Sequence, residues 1–222
     1  MRDDEKYIRD LIAEGEHQRQ DFKFEISNAR KIAKTLVAFA NTDGGRLLIG
    51  IKDNGRVYGV RTEEEYYMIE GAASIYCKPE IPFETYRRVV EGKVVLEVVI
   101  NPSEKRPHYA LDEENRPLAY HRVADKNFLA DYILLQVWKR EKRDRGTFIM
   151  YSENEKKVLE ILQTRGCSDI TTIREEVSLR KKTLQQILIN LVSLKAVSME
   201  FEDEQTLFRL DDPDSRAWSG SG

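Results

Sequence analysis

The chain has 222 residues, of which 41 % are hydrophobic, 9 % aromatic and 34 % charged. This length fits one or two domains, and the composition lies outside the range of disordered proteins. The 36 Lys and Arg residues against 39 Asp and Glu give a net charge of −3. That balance excludes nucleic-acid binding through bulk net charge, although it leaves room for a local basic patch.

Cysteine usage and hydropathy predict a reduced, cytoplasmic protein. Cys77 and Cys167 lie far apart, and together with the three histidines they show no paired spacing typical of a zinc finger. The first residues are charged and no apolar segment follows them, which predicts no secretory signal. No run approaches the roughly 18 apolar residues of a membrane span.

Segment 1–139 alternates helical and extended patterns and predicts one domain. The apolar run 47–51 is typical of a central strand, and the segment 41–45 before it ends a helix because glycine tolerates positive φ. The other predicted elements are helices over 4–14, 28–40, 62–76 and 125–139, and strands over 20–25, 57–60, 82–90, 93–100 and 118–123. This mixture predicts an α+β fold with a mixed sheet and flanking helices.

The remainder of the chain predicts a charged linker, a second domain and a tail. Segment 140–151 is dominated by charged residues at its start and is expected to be a solvated linker, with phosphate contact as the weaker alternative. In segment 152–210, three helices precede a two-stranded hairpin, which is the plan of a winged helix-turn-helix domain. The tail 211–222 is expected to be disordered.

The third helix of this second domain is the candidate nucleic-acid reader. No acidic residue occurs between Val177 and Val197. The basic, hydroxyl and amide side chains facing away from its apolar stripe are Arg180, Lys181, Lys182, Thr183, Gln185, Gln186 and Asn190. Such groups at a helix N-terminus suit phosphate contact and major-groove reading. The alternative is an ordinary solvated face on a protein-interaction module.

Three carboxylates in the first domain are candidate metal ligands. Glu16 precedes the first strand, Asp21 lies in it, and Asp53 follows the central strand. Carboxylates converging from different elements can hold Mg²⁺ or Mn²⁺ for phosphodiester cleavage, with Lys23 neutralising the scissile phosphate. The alternative is that Asp53 only begins an Asp-Asn-Gly turn and Asp21 is a solvated strand residue.

Two further sites of chemistry find little support. Gly44 and Gly45 could admit a phosphate, but the Lys-Ser/Thr ending of a P-loop is missing. No serine or cysteine nucleophile motif accompanies His17, His108 and His121.

Several of these motifs together resemble the Schlafen AlbA-like domain. The likeness rests on Glu16-x4-Asp21-Phe22-Lys23, on Ala38-Phe39-Ala40-Asn41-Thr42-Asp43-Gly44-Gly45, and on the strand Leu48-Ile49-Gly50-Ile51 with Asp53 and Gly55 behind it. It covers about residues 11–139, and Tyr120-His121-Arg122-Val123 is similar to a late strand of the family. The family's glycine-serine turn after that strand is replaced here by Ala124-Asp125-Lys126-Asn127.

The resemblance implies a function in nucleic-acid biology. Bacterial members are described as DNA-binding domains or transcriptional regulators, often with a helix-turn-helix module behind, and many carry an ATP-binding label that the residues here do not explain. Animal Schlafen proteins carry two copies of the domain and cleave transfer and ribosomal RNA with three carboxylates. Those positions fall on Glu16, Asp21 and Asp53, the second being Glu in the cleaving members. One copy per chain implies that a homodimer would rebuild the two-lobed groove.

Three functions follow as hypotheses. The first is a bacterial DNA-binding transcriptional regulator that reads duplex DNA through the winged helix. The second is a metal-dependent endoribonuclease acting on RNA through Glu16, Asp21, Asp53 and Lys23. The third is a protein-interaction module.

Overall fold

The computed structural model describes residues 2–60, 63–141, 152–202 and 205–211. The chain forms two compact units, Met1–Ala130 and Asp131–Gly222. Both mix helices and strands, so the predicted α+β class is confirmed. The linker residues 142–151 and the tail residues 212–222 lie outside the described residues. Within the described ranges, no helix has the length and apolarity that crossing a bilayer requires.

The first unit contains three helices and nine strands among its described residues. In chain order they are α1 (Arg2–Glu14), β1 (Gln20–Lys23), α2 (Ala29–Asn41), β2 (Gly45–Ile49), α3 (Glu64–Ser74), β3 (Cys77–Lys78), β4 (Glu84–Val90), β5 (Lys93–Ile100), β6 (Tyr109–Leu111), β7 (Pro117–Leu118), β8 (Tyr120–Val123) and β9 (Lys126–Leu129). Asn28 caps α2, because its side-chain oxygen accepts a hydrogen bond from the Lys31 amide at 3.2 Å.

A four-stranded mixed sheet in the order β1-β2-β5-β4 forms the centre of this unit. β1 and β2 are parallel, whereas the other pairs are antiparallel. The alternation of side chains along β2 divides the core. Leu48 packs with α1 residues on one face, and Leu47 and Ile49 pack with α2 and α3 residues on the other. The apolar run therefore forms a strand buried on both faces, as its sequence predicts.

Smaller strands complete the first unit. β3, β6 and β7 form an antiparallel sheet, and β8 and β9 form a hairpin that packs on α2. The sequence predicted a helix from residue 125, but residues 126–129 are the second strand of this hairpin, with Ala124 at φ 53° in the turn. The helix begins only at Tyr132.

The second unit begins with that helix. In chain order its elements are α4 (Tyr132–Glu141), α5 (Glu153–Arg165), β10 (Cys167–Asp169), α6 (Ile170–Val177), α7 (Lys181–Ser193), β11 (Val197–Glu202) and β12 (Gln205–Leu210). The three strands form an antiparallel sheet in the order β10-β12-β11. Ser152 and Glu155 form the predicted capping box at the start of α5.

The boundary between the units lies earlier than the sequence suggested. Residue 139 was the expected end of the first domain, but α4 packs against α7, and Ile133 and Val137 join the core of the second unit. Strand β10 was also not predicted, because three residues are too few to show an alternation. Leu194, expected in the core, is 47 % exposed.

Candidate functional site

The N-terminal turn of α7 presents three cations to solvent. Arg180 is the N-cap residue, and Lys181 and Lys182 begin the helix. All three side chains are exposed, and none forms an ion pair or side-chain hydrogen bond with the described residues. Because α7 carries no acidic residue in its first turn, nothing on the helix itself neutralises these cations. The partial positive charge of the helix N-terminus adds to them.

The polar face of α7 changes character along the helix. Thr183 and Gln186 are exposed, whereas Gln185 is half-buried. The side-chain oxygen of Asn190 accepts hydrogen bonds from Arg140 of α4 and from Gln186 Nε2, the latter at 3.0 Å. The amide oxygen of Asn190 is therefore already hydrogen-bonded within the protein. The polar side chains that remain exposed to solvent lie in the first two turns of α7.

The hairpin behind α7 is acidic. Glu200 pairs with Arg209 across β11 and β12 at 3.2 Å, and Glu202 ends β11. Elsewhere in this unit Glu176 forms an ion pair with Arg165. These carboxylates lie on other elements than α7, so the cations at the start of α7 have no acidic neighbour on their own helix.

In the first unit, Glu16 and Asp21 lie side by side. The amide of Phe22 donates to Glu16 Oε1 at 2.8 Å. Burial raises the pKa of Glu16, the Phe22 amide opposes this, and a hydrogen bond with Asp21 raises it further. Asp21 is 5 % exposed and pairs with Lys23 Nζ at 2.8 Å. Lys23 therefore neutralises a carboxylate of its own strand.

A buried arginine completes this cluster. Arg122 in β8 is 2 % exposed, and its guanidinium contacts Asp21 Oδ1 at 3.4 Å. It also donates to the carbonyl oxygens of His17 at 3.1 Å and Gln20 at 2.9 Å, and it lies 4.7 Å from the centre of the Phe39 ring. The guanidinium thereby joins the start of β1 to the β8-β9 hairpin.

The third predicted carboxylate, Asp53, lies in an exposed turn between β2 and residue 57. Among the described residues, no group of three His, Cys, Asp or Glu side chains is placed to hold a metal ion. Both oxygens of Asp21 already face cations, Lys23 and Arg122. These residues therefore do not fit a three-carboxylate metal site.

The motif from Ala38 to Gly45 is tied to the rest of the first unit through Asn41. Asn41 is fully buried, and its Nδ2 donates to the carbonyl oxygens of His108 at 3.0 Å and Tyr120 at 2.9 Å. Its Oδ1 accepts from the His108 amide at 2.7 Å. Asn41 therefore ties the end of α2 to the segments of β6 and β8, and we refer to these three hydrogen bonds as the Asn41 clasp.

The two glycines of this motif pack against their own chain. A Cβ at Gly45 would lie 2.4 Å from the Phe39 ring. A Cβ at Gly44, where φ is +69°, would lie 2.7 Å from the Ile100 carbonyl oxygen. Glycine is required at both positions by close approach of the chain, so they form no open cradle for a phosphate.

Sequence reasoning missed Arg122 and His108 as organising residues. One feature of the sequence could have indicated Arg122, namely a long charged side chain within a segment whose pattern is typical of a half-buried strand. His108 is 1 % exposed, with Nε2 2.7 Å from Ser103 Oγ and Nδ1 2.9 Å from the Pro79 carbonyl oxygen. No periodic pattern marks it.

Solved structures that are similar to this chain include two distant likenesses. One is the DIP2311 protein from Corynebacterium diphtheriae, with 20 % identity, 86 % of this chain covered and a TM-score of 0.43. This chain spans 34 % of that protein's chain. The other is the N-terminal domain of a RecG-related protein from Nitrosomonas europaea, with 22 % identity, coverage of 68 % of this chain and 96 % of that one, and a TM-score of 0.40.

No curated protein matches the sequence. The family described as Schlafen, AlbA_2 matches residues 16–131, which is more than half of the chain. This region contains the Glu16–Asp21 pair, the Asn41 clasp and the buried Arg122. The protein therefore belongs to the Schlafen AlbA_2 family.

Proposed function

We propose that the protein is a DNA-binding transcriptional regulator whose second unit is a winged-helix domain. The order α5, β10, α6, α7, β11, β12, with the strands arranged β10-β12-β11, supports the winged-helix assignment. In that fold the third helix enters the major groove. The description of bacterial family members as regulators supports the biological role.

The observation that carries the proposal is the exposed, unneutralised cationic turn at the start of α7. Arg180, Lys181 and Lys182 project from a helix N-terminus without an ion pair to the described residues. A DNA major groove is about 12 Å wide and admits a helix. The cations would contact phosphates at its rim, while Thr183 and Gln186 would face base edges.

A paired-lysine substitution tests this proposal. Fluorescence anisotropy of labelled duplex DNA is recorded with the full-length protein and with Lys181→Ala/Lys182→Ala across a salt series. The matched control is Lys156→Ala/Lys157→Ala, because these two lysines are also exposed but lie on α5. Both variants lose the same net charge, so only the location of the cations differs.

The expected result is a smaller salt dependence for the α7 variant only. Each phosphate contact contributes a slope of about 0.9 in log K against log salt, so losing two contacts lowers the slope by about 1.8. Between about 50 and about 200 mM salt, the wild type would then lose about 12-fold more affinity than the variant. The control is expected to keep the wild-type slope.

Two outcomes would overturn the proposal. If the α7 variant keeps the wild-type affinity and salt slope, α7 is not the DNA-contacting element, and the protein-interaction hypothesis gains support. If the wild-type protein binds duplex RNA or single strands in preference to duplex DNA, major-groove reading by α7 is excluded, since the major groove of duplex RNA is too narrow and deep for side-chain reading.

A further inference from the structure

A serine and a histidine in the first unit form a hydrogen bond that the proposed function does not use. Ser103 Oγ lies 2.7 Å from His108 Nε2. The other ring nitrogen of His108, Nδ1, lies 2.9 Å from the carbonyl oxygen of Pro79. A carbonyl oxygen can only accept a hydrogen bond, so Nδ1 carries the ring proton. The lone pair of Nε2 in the neutral imidazole therefore faces the Ser103 hydroxyl, which donates to it.

Main-chain contacts hold both side chains in this arrangement. The Ser103 amide donates to the Ala40 carbonyl oxygen at 2.8 Å, and Ser103 Oγ accepts from the Lys105 amide at 3.1 Å. The main chain of His108 is held by the Asn41 side chain at both its N–H and its C=O. The hydroxyl and the ring are thus positioned before any substrate binds, as catalysis by a general base requires.

The two groups differ in their exposure to water. His108 is 1 % exposed, whereas Ser103 is half-buried. The residues on either side of Ser103 are exposed, namely Asn101, Pro102, Glu104 and Lys105. The imidazole is therefore shielded from water, while the serine lies in a surface segment that a small substrate can reach.

We propose that Ser103 and His108 act as a nucleophile and its general base toward small carboxylic esters. Covalent catalysis uses a nucleophile that is hydrogen-bonded to a base, and the base is oriented by a third group. Here the third group is the carbonyl oxygen of Pro79. The Lys105 amide, which is directed at Ser103 Oγ, is a hydrogen-bond donor close to the place where negative charge would develop. This activity does not depend on DNA binding by α7, so it goes beyond the proposed function.

The reaction has two steps, and in each of them His108 takes a proton and returns it. Ser103 Oγ attacks the carbonyl carbon of the ester, and the hydroxyl proton passes to His108 Nε2. The bond from that carbon to the alcohol oxygen breaks, the alcohol leaves with the proton from Nε2, and the acyl group remains on Ser103. Water then attacks the acyl carbon and gives one proton to Nε2. The carboxylic acid is released as Ser103 Oγ takes that proton back.

A fluorophosphonate probe tests the nucleophile, because an activated serine oxygen bonds to its phosphorus and fluoride leaves. The full chain is incubated with the probe, and the labelled peptide is identified by mass spectrometry. The wild type should be labelled at Ser103, and Ser103→Ala should not be labelled. The matched control is Ser74→Ala, because Ser74 is also half-buried but donates to the carbonyl oxygen of Glu70 instead of to a base. This control should keep the wild-type labelling, and a wild type labelled no faster at Ser103 than at Ser74 would overturn the proposal.

Hydrolysis of p-nitrophenyl acetate tests turnover. The activity that depends on Ser103 is the wild-type rate minus the rate of Ser103→Ala, and it should be above zero after the first turnover. A general base contributes about 10²- to 10⁴-fold, so His108→Gln should lower this activity and the labelling of Ser103 at least about 100-fold. Equal rates for Ser103→Ala and the wild type, or unchanged labelling of a His108→Gln variant that is folded by circular dichroism, would overturn the proposal.

A cysteine variant decides the matter if His108→Gln does not fold. Ser103→Cys and Ser74→Cys are each made in a Cys167→Ser background, in which the remaining Cys77 is buried. A thiol beside a histidine base loses its proton more readily, and the thiolate is the nucleophile. Iodoacetamide should therefore alkylate the Ser103→Cys variant at least about tenfold faster than the Ser74→Cys variant. Equal alkylation rates would overturn the role of His108 as a base.

Discussion

Asn41→Ala tests whether the sequence motif of this family serves the fold. The substitution removes all three hydrogen bonds of the Asn41 clasp. The His108 amide loses its partner in a fully buried place, which costs about 1 to 3 kcal/mol. Each of the two carbonyl oxygens, of His108 and Tyr120, adds about 1 kcal/mol at the lower end of the same range. The expected loss of unfolding free energy is about 3 to 5 kcal/mol.

Urea unfolding measures this loss. With a slope of about 2 kcal/mol per molar urea, a loss of about 4 kcal/mol lowers the midpoint by about 2 M. Hydrogen exchange should also accelerate in peptides that contain Tyr109–Leu111 and Tyr120–Val123, the strands that the clasp holds. The matched control is Asn101→Ala, because Asn101 is exposed and has no side-chain partner among the described residues. It should change stability by no more than about 0.5 kcal/mol.

A midpoint for Asn41→Ala within about 0.5 M of the wild type, with unchanged exchange in these strands, would refute the reasoning. The Asn41 clasp would then not be what holds the segments of β6 and β8 to the end of α2.

Three further predictions follow from the first unit. Because burial and Asp21 raise the pKa of Glu16, the stabilisation from this group is present below the unfolded pKa and is lost as pH rises through the folded pKa. Glu16→Gln should therefore be more stable than wild type at pH 7 but not near pH 4; a difference independent of pH in thermal melts would contradict this. Arg122→Met should cost about 1.5 to 3 kcal/mol in urea unfolding, since it removes the charged hydrogen bonds of the guanidinium while Asp21 keeps its pair with Lys23; a neutral effect would show that the guanidinium is dispensable. Gly45→Ala should lower the free energy of unfolding by about 1 to 3 kcal/mol, because the added Cβ would clash with the Phe39 ring. Gly71→Ala, in a helix with no atom within 4 Å of the added Cβ, should stabilise by up to about 1 kcal/mol. Equal melting temperatures for these two glycine variants would contradict the packing argument.

Residue patterns were sufficient for most elements of both units. The continuous apolar run that contains Leu47, Leu48 and Ile49 predicted a central strand, and the capping box at Ser152 predicted the start of α5. These signals are local, because periodicity and capping depend on neighbours a few residues apart. The same reasoning failed at residues 125–131, where a short hairpin strand carries too few residues for a period to be read.

The candidate sites depended on long-range contacts to different degrees. The cationic turn of α7 could be read from the sequence, because exposure of a polar helix face follows from the 3.6-residue period. The hydrogen bond from Arg140 of α4 to Asn190 could not be predicted from the sequence, since Arg140 lies 50 residues earlier in the chain. The three carboxylates Glu16, Asp21 and Asp53 were predicted to converge from their spacing in the sequence. Of these three, the structure brings together only Glu16 and Asp21.

The sequence by itself therefore determined the α+β class, the elements with strong periodicity and the basic face of one helix. Only the tertiary structure decided what each buried polar group meets. Asn41 binds groups 67 and 79 residues away, and Asp21 contacts an arginine 101 residues away. A hydrophobic period states that a face is buried but not which element covers it, so partners at such separations are set by the packing of the whole unit.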